Sequence, residues 1–346
     1  MTKTAIKPVL VIYTGGTIGM KKTERGYKPA EGFFSSALRG IPDLYDEGFP
    51  EWELYEMSPL LDSSNISVPE WNSIASIIFE RRNDFSGFVV LHGTDTMAYS
   101  ASALSFMLRG LGKPVVFTGS QIPLSALRSD GKDNLITSIM IAGEGVVSEV
   151  CLYFGGRLLR GNRAMKVSAD GLLAFDSPSF PPLAEAGITI KYNTEVIASS
   201  VDDTATPTLS LFSAVPIGVL KIFPGIQFGL FEDIMTEKLS GIVLESFGAG
   251  NIPMGEGSLL PIIKKAFASG AVVTVCSQCP SGTVSLGEYE TSSELVSAGA
   301  VSGHDMTTEA AIAKLYYLFS LGLDKDEIKR KMECNVAGEL TERRSL

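Results

Sequence analysis

The residues best suited to covalent chemistry are threonines set where apolar runs stop. "VIYTGGTIG" at 11–19 breaks from a β-branched run into Thr14, Gly15, Gly16 and Thr17. "FVVLHGTDTMAY" at 88–99 does the same, with Thr94 and Asp95 just past the apolar residues. A threonine hydroxyl becomes a nucleophile only when a neighbour removes its proton. The chain has only 2 histidines, His92 and His304, which leaves little room for a histidine base. The other bases are Tyr, Lys or a carboxylate, and Lys166 in "RGNRAMKVSAD" is the candidate lysine. Paired with Asp95 and partly buried, it can pass a proton between that carboxylate and Thr94. Each piece also has a plainer reading. Thr94 and Asp95 suit a helix N-cap, and a single lysine is commonly a solvated surface group.

The glycines after Thr14 admit three uses: a phosphate cradle, a dinucleotide loop, or a hinge beside a reactive hydroxyl. The P-loop needs four residues between its first glycine and Gly-Lys-Ser/Thr, and here Met20 follows Gly19. The dinucleotide pattern G-x-G-x-x-G fails because Gly15 and Gly16 are adjacent. Gly15–Gly19 fits a threonine form of G-x-S-x-G centred on Thr17, with no histidine-based triad to serve it. The polar stretch "MKKTERGYKPAEGF" that follows, with Tyr27 between Gly26 and Gly32, reads as a lid or as a plain surface hairpin.

These residues need elements to hold them. Short runs of Val, Ile, Leu and Phe at 9–13, 88–91, 115–118, 150–154, 219–222, 241–244 and 272–275 read as strands covered on both faces. Helical patterns lie between them, such as "VPEWNSIASIIFERRN", preceded by Ser67 as a cap with Glu70 three residues on. This rhythm predicts an α/β protein with mostly parallel, doubly wound sheets, in which ligands bind beyond the carboxyl ends of the strands. The Ser-, Thr-, Asp- and Pro-rich stretch 191–216 breaks the rhythm and reads as an inter-domain connection. The expected organisation is a larger N-terminal catalytic domain at 1–190 with a lid at about 15–33, and a smaller C-terminal α/β domain at 217–346.

Composition narrows the class. With 346 residues, 45% apolar and 9% aromatic, the chain has material for two globular cores. Acids outnumber bases 39 to 29, and the net charge of -10 disfavours a nucleic-acid backbone as partner. No apolar run approaches the roughly 20 residues of a membrane span, and "PVLVIY" reads as a first strand rather than a signal peptide. No membrane partner is expected, and the cytoplasm is the expected compartment. Cys276 and Cys279 have C-x-x-C spacing, yet only two histidines are available to complete a zinc set. The pair reads as ordinary strand-end thiols, and no metal is expected.

Taken together, "YTGGTIG", "LHGTDTMAYSASAL", "GSQIPLSALRSDGKDN" at 119–134, "GNRAMK" and "SFGAGN" resemble the asparaginase family of threonine amidohydrolases, in order along nearly the whole chain. The "HGTDTMAY" and "DSSN" wording is similar to that of the cytoplasmic, type I bacterial members. The resemblance implies hydrolysis of L-asparagine to L-aspartate and ammonia through a covalent acyl-enzyme, with no cofactor. It implies Thr14 as nucleophile, Tyr27 assisting from the lid, and a second triad of Thr94, Asp95 and Lys166. It further implies that Asp62, Ser63 and Ser64 hold the substrate's α-amino and α-carboxylate groups. Asn251 would reach into a neighbouring subunit's site, in a homodimer or a homotetramer built as a dimer of dimers. Backbone N–H groups beside Gly93 and Thr94 suit an oxyanion.

One departure from the family's pattern bears on regulation. An activating asparagine site of some members expects arginine and threonine where this sequence has Glu245 and Met165, although Cys279 is kept. Glu245 would repel a ligand carboxylate, so no such switch is expected. Two rivals are weaker. An amidotransferase subunit of the same fold carries an extra N-terminal domain and works on RNA. A sensor with a degraded site would lack one of the residues just named.

Overall fold

The computed structural model describes residues 7–24, 26–29, 32–198, 206–253, 257–287 and 290–342. Residues 25, 30 and 31 of the expected lid and 199–205 of the expected connection lie outside the described residues. Internal contacts divide the chain into two units, Met1–Leu209 and Ser210–Leu346.

The first unit is organised around β1 (Val9–Gly15), whose residues are all buried. A separate hairpin of β2 (Met20–Thr23) and β3 (Gly26–Pro29) follows, then α1 (Phe33–Leu38) and β4 (Trp52–Leu61). Next come α2 (Val68–Glu80), β5 (Gly87–Leu91), α3 (Met97–Met107), β6 (Val115–Thr118), α4 (Gly131–Glu144) and β7 (Val150–Phe154). The unit closes with β8 (Arg157–Arg160), the short pair β9 (Met165–Lys166) and β10 (Phe175–Asp176), then β11 (Ala184–Ala186), β12 (Ile190–Tyr192) and α5 (Thr194–Ala198). The main sheet has the order β12-β11-β8-β7-β6-β5-β1-β4. Its β4, β1, β5, β6 and β7 run parallel, and β8, β11 and β12 complete it in antiparallel pairing.

The sequence dictates much of this. β1, β5, β6 and β7 are buried throughout, as continuous apolar runs require in a sheet covered on both faces. α2 starts at the expected place, with the Ser67 N–H donating to Glu70 Oε2 at 2.8 Å, and buries Trp71, Ile74, Ala75 and Ile78 along one face. The helix after β5 begins later than an N-cap role for Thr94 and Asp95 requires. Its N-cap is Thr96, so those two side chains are left for other partners.

Register aligns the strand ends. Tyr13 lies opposite Leu91, Gly15 opposite Leu61, and Leu91 opposite Thr118. The loops after β1, β4, β5 and β6 therefore leave the sheet side by side at its carboxyl edge. They also touch. A Cβ on Gly16, at φ 86°, would stand 2.5 Å from the Gly93 nitrogen, and one on Gly93 would stand 2.4 Å from Ser63 Oγ. Only glycine lets these backbones come so close.

The second unit holds β13 (Ile217–Lys221), β14 (Gly241–Ser246), α6 (Leu260–Ala268), β15 (Val272–Ser277), α7 (Glu290–Ala298), β16 (Val301–Ser302), α8 (Thr308–Ser320) and α9 (Lys325–Met332). Its four strands form a parallel sheet in the order β13-β14-β15-β16. Its core gathers Leu244, Val273, Val275 and Ile263. A fully buried ion pair, Lys314 Nζ to Glu339 Oε1 at 2.6 Å, ties the segment after α9 to α8.

The loop contact at Gly16 yields a prediction. Gly16→Ala should cost about 2–4 kcal/mol, from the positive φ and the overlap with Gly93 together. Urea denaturation measures it, and an unchanged midpoint would mean that the loops can part freely.

Candidate active site

The carboxyl edge of the main sheet brings together most of the residues singled out above. Thr14 leaves β1 fully enclosed, 1% exposed, and its hydroxyl donates to the Leu91 carbonyl at 2.9 Å. For this oxygen to serve as a nucleophile, its proton would have to pass from that carbonyl to a base. The hydroxyl is thus less open than a strand-end position suggests, because the neighbouring strand offers it an acceptor.

Lys166 stands on β9, held by its pairing with Phe175 of β10. Before it, the "GNR" turn at 161–163 is wholly buried, which fixes the base of the segment. Lys166 Nζ donates to Asp95 Oδ1 at 2.7 Å and to Thr94 Oγ1 at 2.9 Å. The lysine side chain is 20% exposed and that of Asp95 67%. The lysine is therefore a partly enclosed donor shared by a carboxylate and a hydroxyl, and not a surface group. Thr94 itself is 7% exposed.

Sequence reasoning missed Gln121. The Thr94 hydroxyl accepts from Lys166, and its own proton points to Gln121 Oε1 at 3.2 Å. Gln121 Nε2 donates to the carbonyls of Ala169 at 3.3 Å and Gly171 at 3.1 Å, which settles which end of the amide faces Thr94. Its backbone N–H donates to Asp130 Oδ2 at 3.0 Å. The signal was present, since Gln121 lies in the stretch at 119–134 that resembles the family.

The third strand end supplies Asp62, Ser63 and Ser64. Asp62 Oδ1 accepts from the Ser64 N–H at 3.1 Å and caps the short turn Ser63–Asn65. Ser63 is buried against Gly93, and its carbonyl accepts from Thr96 Oγ1 at 2.7 Å, which locks this turn to the loop after β5. Asp62 and Ser64 remain exposed, with a carboxylate and a hydroxyl available to a polar ligand.

Two further expected participants come from other elements. Tyr27 pairs with Lys22 across the β2–β3 hairpin and is 46% exposed. Asn251 belongs to the second unit, where it bridges Phe247 in a tight turn after β14.

The remaining candidates take ordinary places. His92 is 1% exposed, and burial pushes its imidazole down to about 4, so it is neutral at physiological pH. Cys276 is buried in β15 with its thiol pushed up to about 12 by burial, the opposite of what a thiolate ligand needs. Cys279 is exposed, and all four cysteines are unbridged. Among the described residues no group of three His, Cys, Asp or Glu is placed to hold a metal ion, and no helix is long and apolar enough to cross a membrane.

Comparison with known proteins agrees with this layout. The family model described as "Asparaginase, N-terminal" matches residues 8–198, and that of the "Glutaminase/Asparaginase C-terminal domain" matches 216–332. L-asparaginase 1 of Escherichia coli K12 is 44% identical over 97% of this chain and 98% of its own length. The 60 kDa lysophospholipase of Mus musculus is 38% identical over 96% of this chain and 62% of its own length. The crystal structure of L-asparaginase I from Vibrio cholerae superposes with a TM-score of 0.89 at 43% identity, over 97% of this chain and 100% of that one. The two-unit α/β architecture, the ordered signatures and these matches together establish that the chain belongs to the asparaginase family.

Proposed function

We propose that this protein is an L-asparaginase, hydrolysing the side-chain amide of L-asparagine to L-aspartate and ammonia. The observation that carries this reading is the shared lysine: Lys166 bridges Asp95 and Thr94 at the strand end beside Thr14. In acylation, the Thr14 oxygen attacks the side-chain amide carbon and gives up its proton. The carbon–nitrogen bond breaks and ammonia leaves with an added proton, leaving an aspartyl ester on Thr14. Water then attacks the ester, frees L-aspartate and returns the proton to Thr14. The Thr94–Lys166–Asp95 set moves these protons, since the lysine can trade one with the hydroxyl while the carboxylate balances its charge.

The same family resemblance supports the remaining assignments. Asp62, Ser63 and Ser64 hold the substrate's α-amino and α-carboxylate groups. Tyr27 closes over Thr14 from a lid at about 15–33. Asn251 of a neighbouring subunit completes the site, so the working enzyme is a homodimer or a homotetramer. We assign the chemistry to a domain at 1–190, the connection to 191–216 and a smaller domain to 217–346. A cytoplasmic setting follows from the likeness to type I enzymes, and the unbridged thiols suit it.

We also propose that asparagine does not activate this enzyme at a second site. Glu245 Oε1 accepts from Thr308 Oγ1 at 2.7 Å, and Oε2 lies 3.6 Å from Lys221 Nζ. A carboxylate so engaged adds negative charge where a ligand carboxylate would need a cation.

Two measurements follow. Ammonia release from L-asparagine should fall about a thousandfold or more in Thr14→Ala and in Lys166→Met, with both variants folded. A near-wild-type rate in either would remove that residue from the mechanism. The rate should rise hyperbolically with asparagine concentration; a sigmoidal curve that becomes hyperbolic on mutating Cys279 would overturn the absence of the switch.

A further inference from the structure

His92 stands two residues before Thr94 and belongs to a buried line of hydrogen bonds that the proposed chemistry leaves unused. Trp71 Nε1 donates to Ser100 Oγ at 2.9 Å. Ser100 Oγ lies 2.9 Å from His92 Nε2, and His92 Nδ1 lies 2.7 Å from the Gly93 carbonyl oxygen. Trp71 is 7% exposed, Ser100 0% and His92 1%.

The two ends fix the direction of the line. An indole N–H can only donate and a carbonyl oxygen can only accept. Ser100 therefore accepts from Trp71 and gives its proton to Nε2, while the imidazole carries its own proton on Nδ1 and donates to Gly93. The other neutral tautomer would set a ring lone pair against the Gly93 oxygen. A doubly protonated ring would need its second proton held in a buried place that disfavours charge.

The Gly93 carbonyl and the Thr94 N–H belong to one peptide plane. Among the described residues, no acceptor in the chain takes the Thr94 N–H. A bond at the carbonyl fixes the plane's rotation, and so the direction of the N–H. It also polarises the amide, which strengthens that N–H as a donor. Gly93 needs such a restraint. Lacking a Cβ, which Ser63 Oγ would leave no space for, it is held weakly by its own dihedral preferences.

We propose that His92, backed by Ser100 and Trp71, is a positioning residue that holds the Gly93–Thr94 peptide so that the Thr94 N–H receives the oxyanion of the tetrahedral intermediate. This rests on the amide-hydrolase reading above. His92 touches no reacting atom and carries no proton in the cycle. What it supplies is a donor at the Nδ1 position, which an asparagine side-chain amide can also supply and a leucine cannot.

The test measures kcat and KM for L-asparagine in folded His92→Leu, His92→Asn and Ser100→Ala. Removing a whole oxyanion donor costs about 100- to 1,000-fold in kcat, so loosening one should cost about 10- to 100-fold in His92→Leu, with KM nearly unchanged. His92→Asn should recover most of that loss, Ser100→Ala should fall between, and the pH profile of kcat should keep its shape throughout. A folded His92→Leu with wild-type kcat, or equal losses in Leu and Asn, would overturn the proposal. If His92→Leu does not fold, a wild-type kcat in Ser100→Ala would overturn it. Absence of ammonia release by the wild-type protein would instead overturn the proposed function itself, and the two failures are distinguishable.

Discussion

Everything at the site depends on how closely the backbone after β1 packs against its neighbours. Gly15 and Gly16 run where a Cβ would stand 2.2 Å from the Leu61 oxygen and 2.5 Å from the Gly93 nitrogen. The first contact closes the end of β1 on the end of β4, and the second joins the loop after β1 to the loop after β5. Parallel register alone would leave the strand ends in a row about 4.8 Å apart, and the glycines turn that row into one cluster. The loops that carry Thr14, Ser63 and Thr94 meet because Gly16 and Gly93 have no side chains to keep them apart.

Within the cluster, hydrogen-bond direction decides what each group can do. Lys166 donates to both Asp95 and Thr94, so the Thr94 proton is turned to Gln121. Thr14 donates to the Leu91 carbonyl, an acceptor that cannot remove its proton. The hydroxyl that the proposed reaction uses therefore rests with its proton on a group that cannot take it. His92 differs again: it is neutral, its proton is directed at Gly93, and its influence passes through a peptide plane.

How much of this was legible in the sequence varied with the signal. All seven apolar runs read as strands are strands, and six are buried as continuous runs in a sheet covered on both faces should be, whereas in β13 only Leu220 is buried and Val219 is exposed. β4 was missed, since "WELYEMSPLL" mixes Glu53 and Glu56 with apolar residues, as suits its place at the end of the strand order. The short antiparallel strands β8, β11 and β12 were missed for want of length. Thr94, Asp95 and Lys166 were legible as types, and their meeting was expected as a Lys166–Asp95 pairing and as the triad the family resemblance implies, though no spacing in the sequence dictates it. Asp95 and Lys166 lie 71 residues apart in sequence, and only pairing in three dimensions brings them within 2.7 Å. The Trp71–Ser100–His92 line was not legible from pattern, and Gln121 only as a member of the stretch at 119–134 that resembles the family. A glutamine in a loop or a serine in a helix has no special spacing, and its role appears only in the direction of its hydrogen bonds.

The central claim is that Thr14 carries the acyl group while Lys166, Asp95 and Thr94 move protons. Rapid acid quenching of the enzyme during asparagine turnover, followed by peptide mass spectrometry, tests it directly. The account predicts an aspartyl ester on the peptide that contains Thr14, absent from Thr14→Ala. An ester found on Thr94, or steady turnover by Thr14→Ala with no covalent adduct, would contradict it.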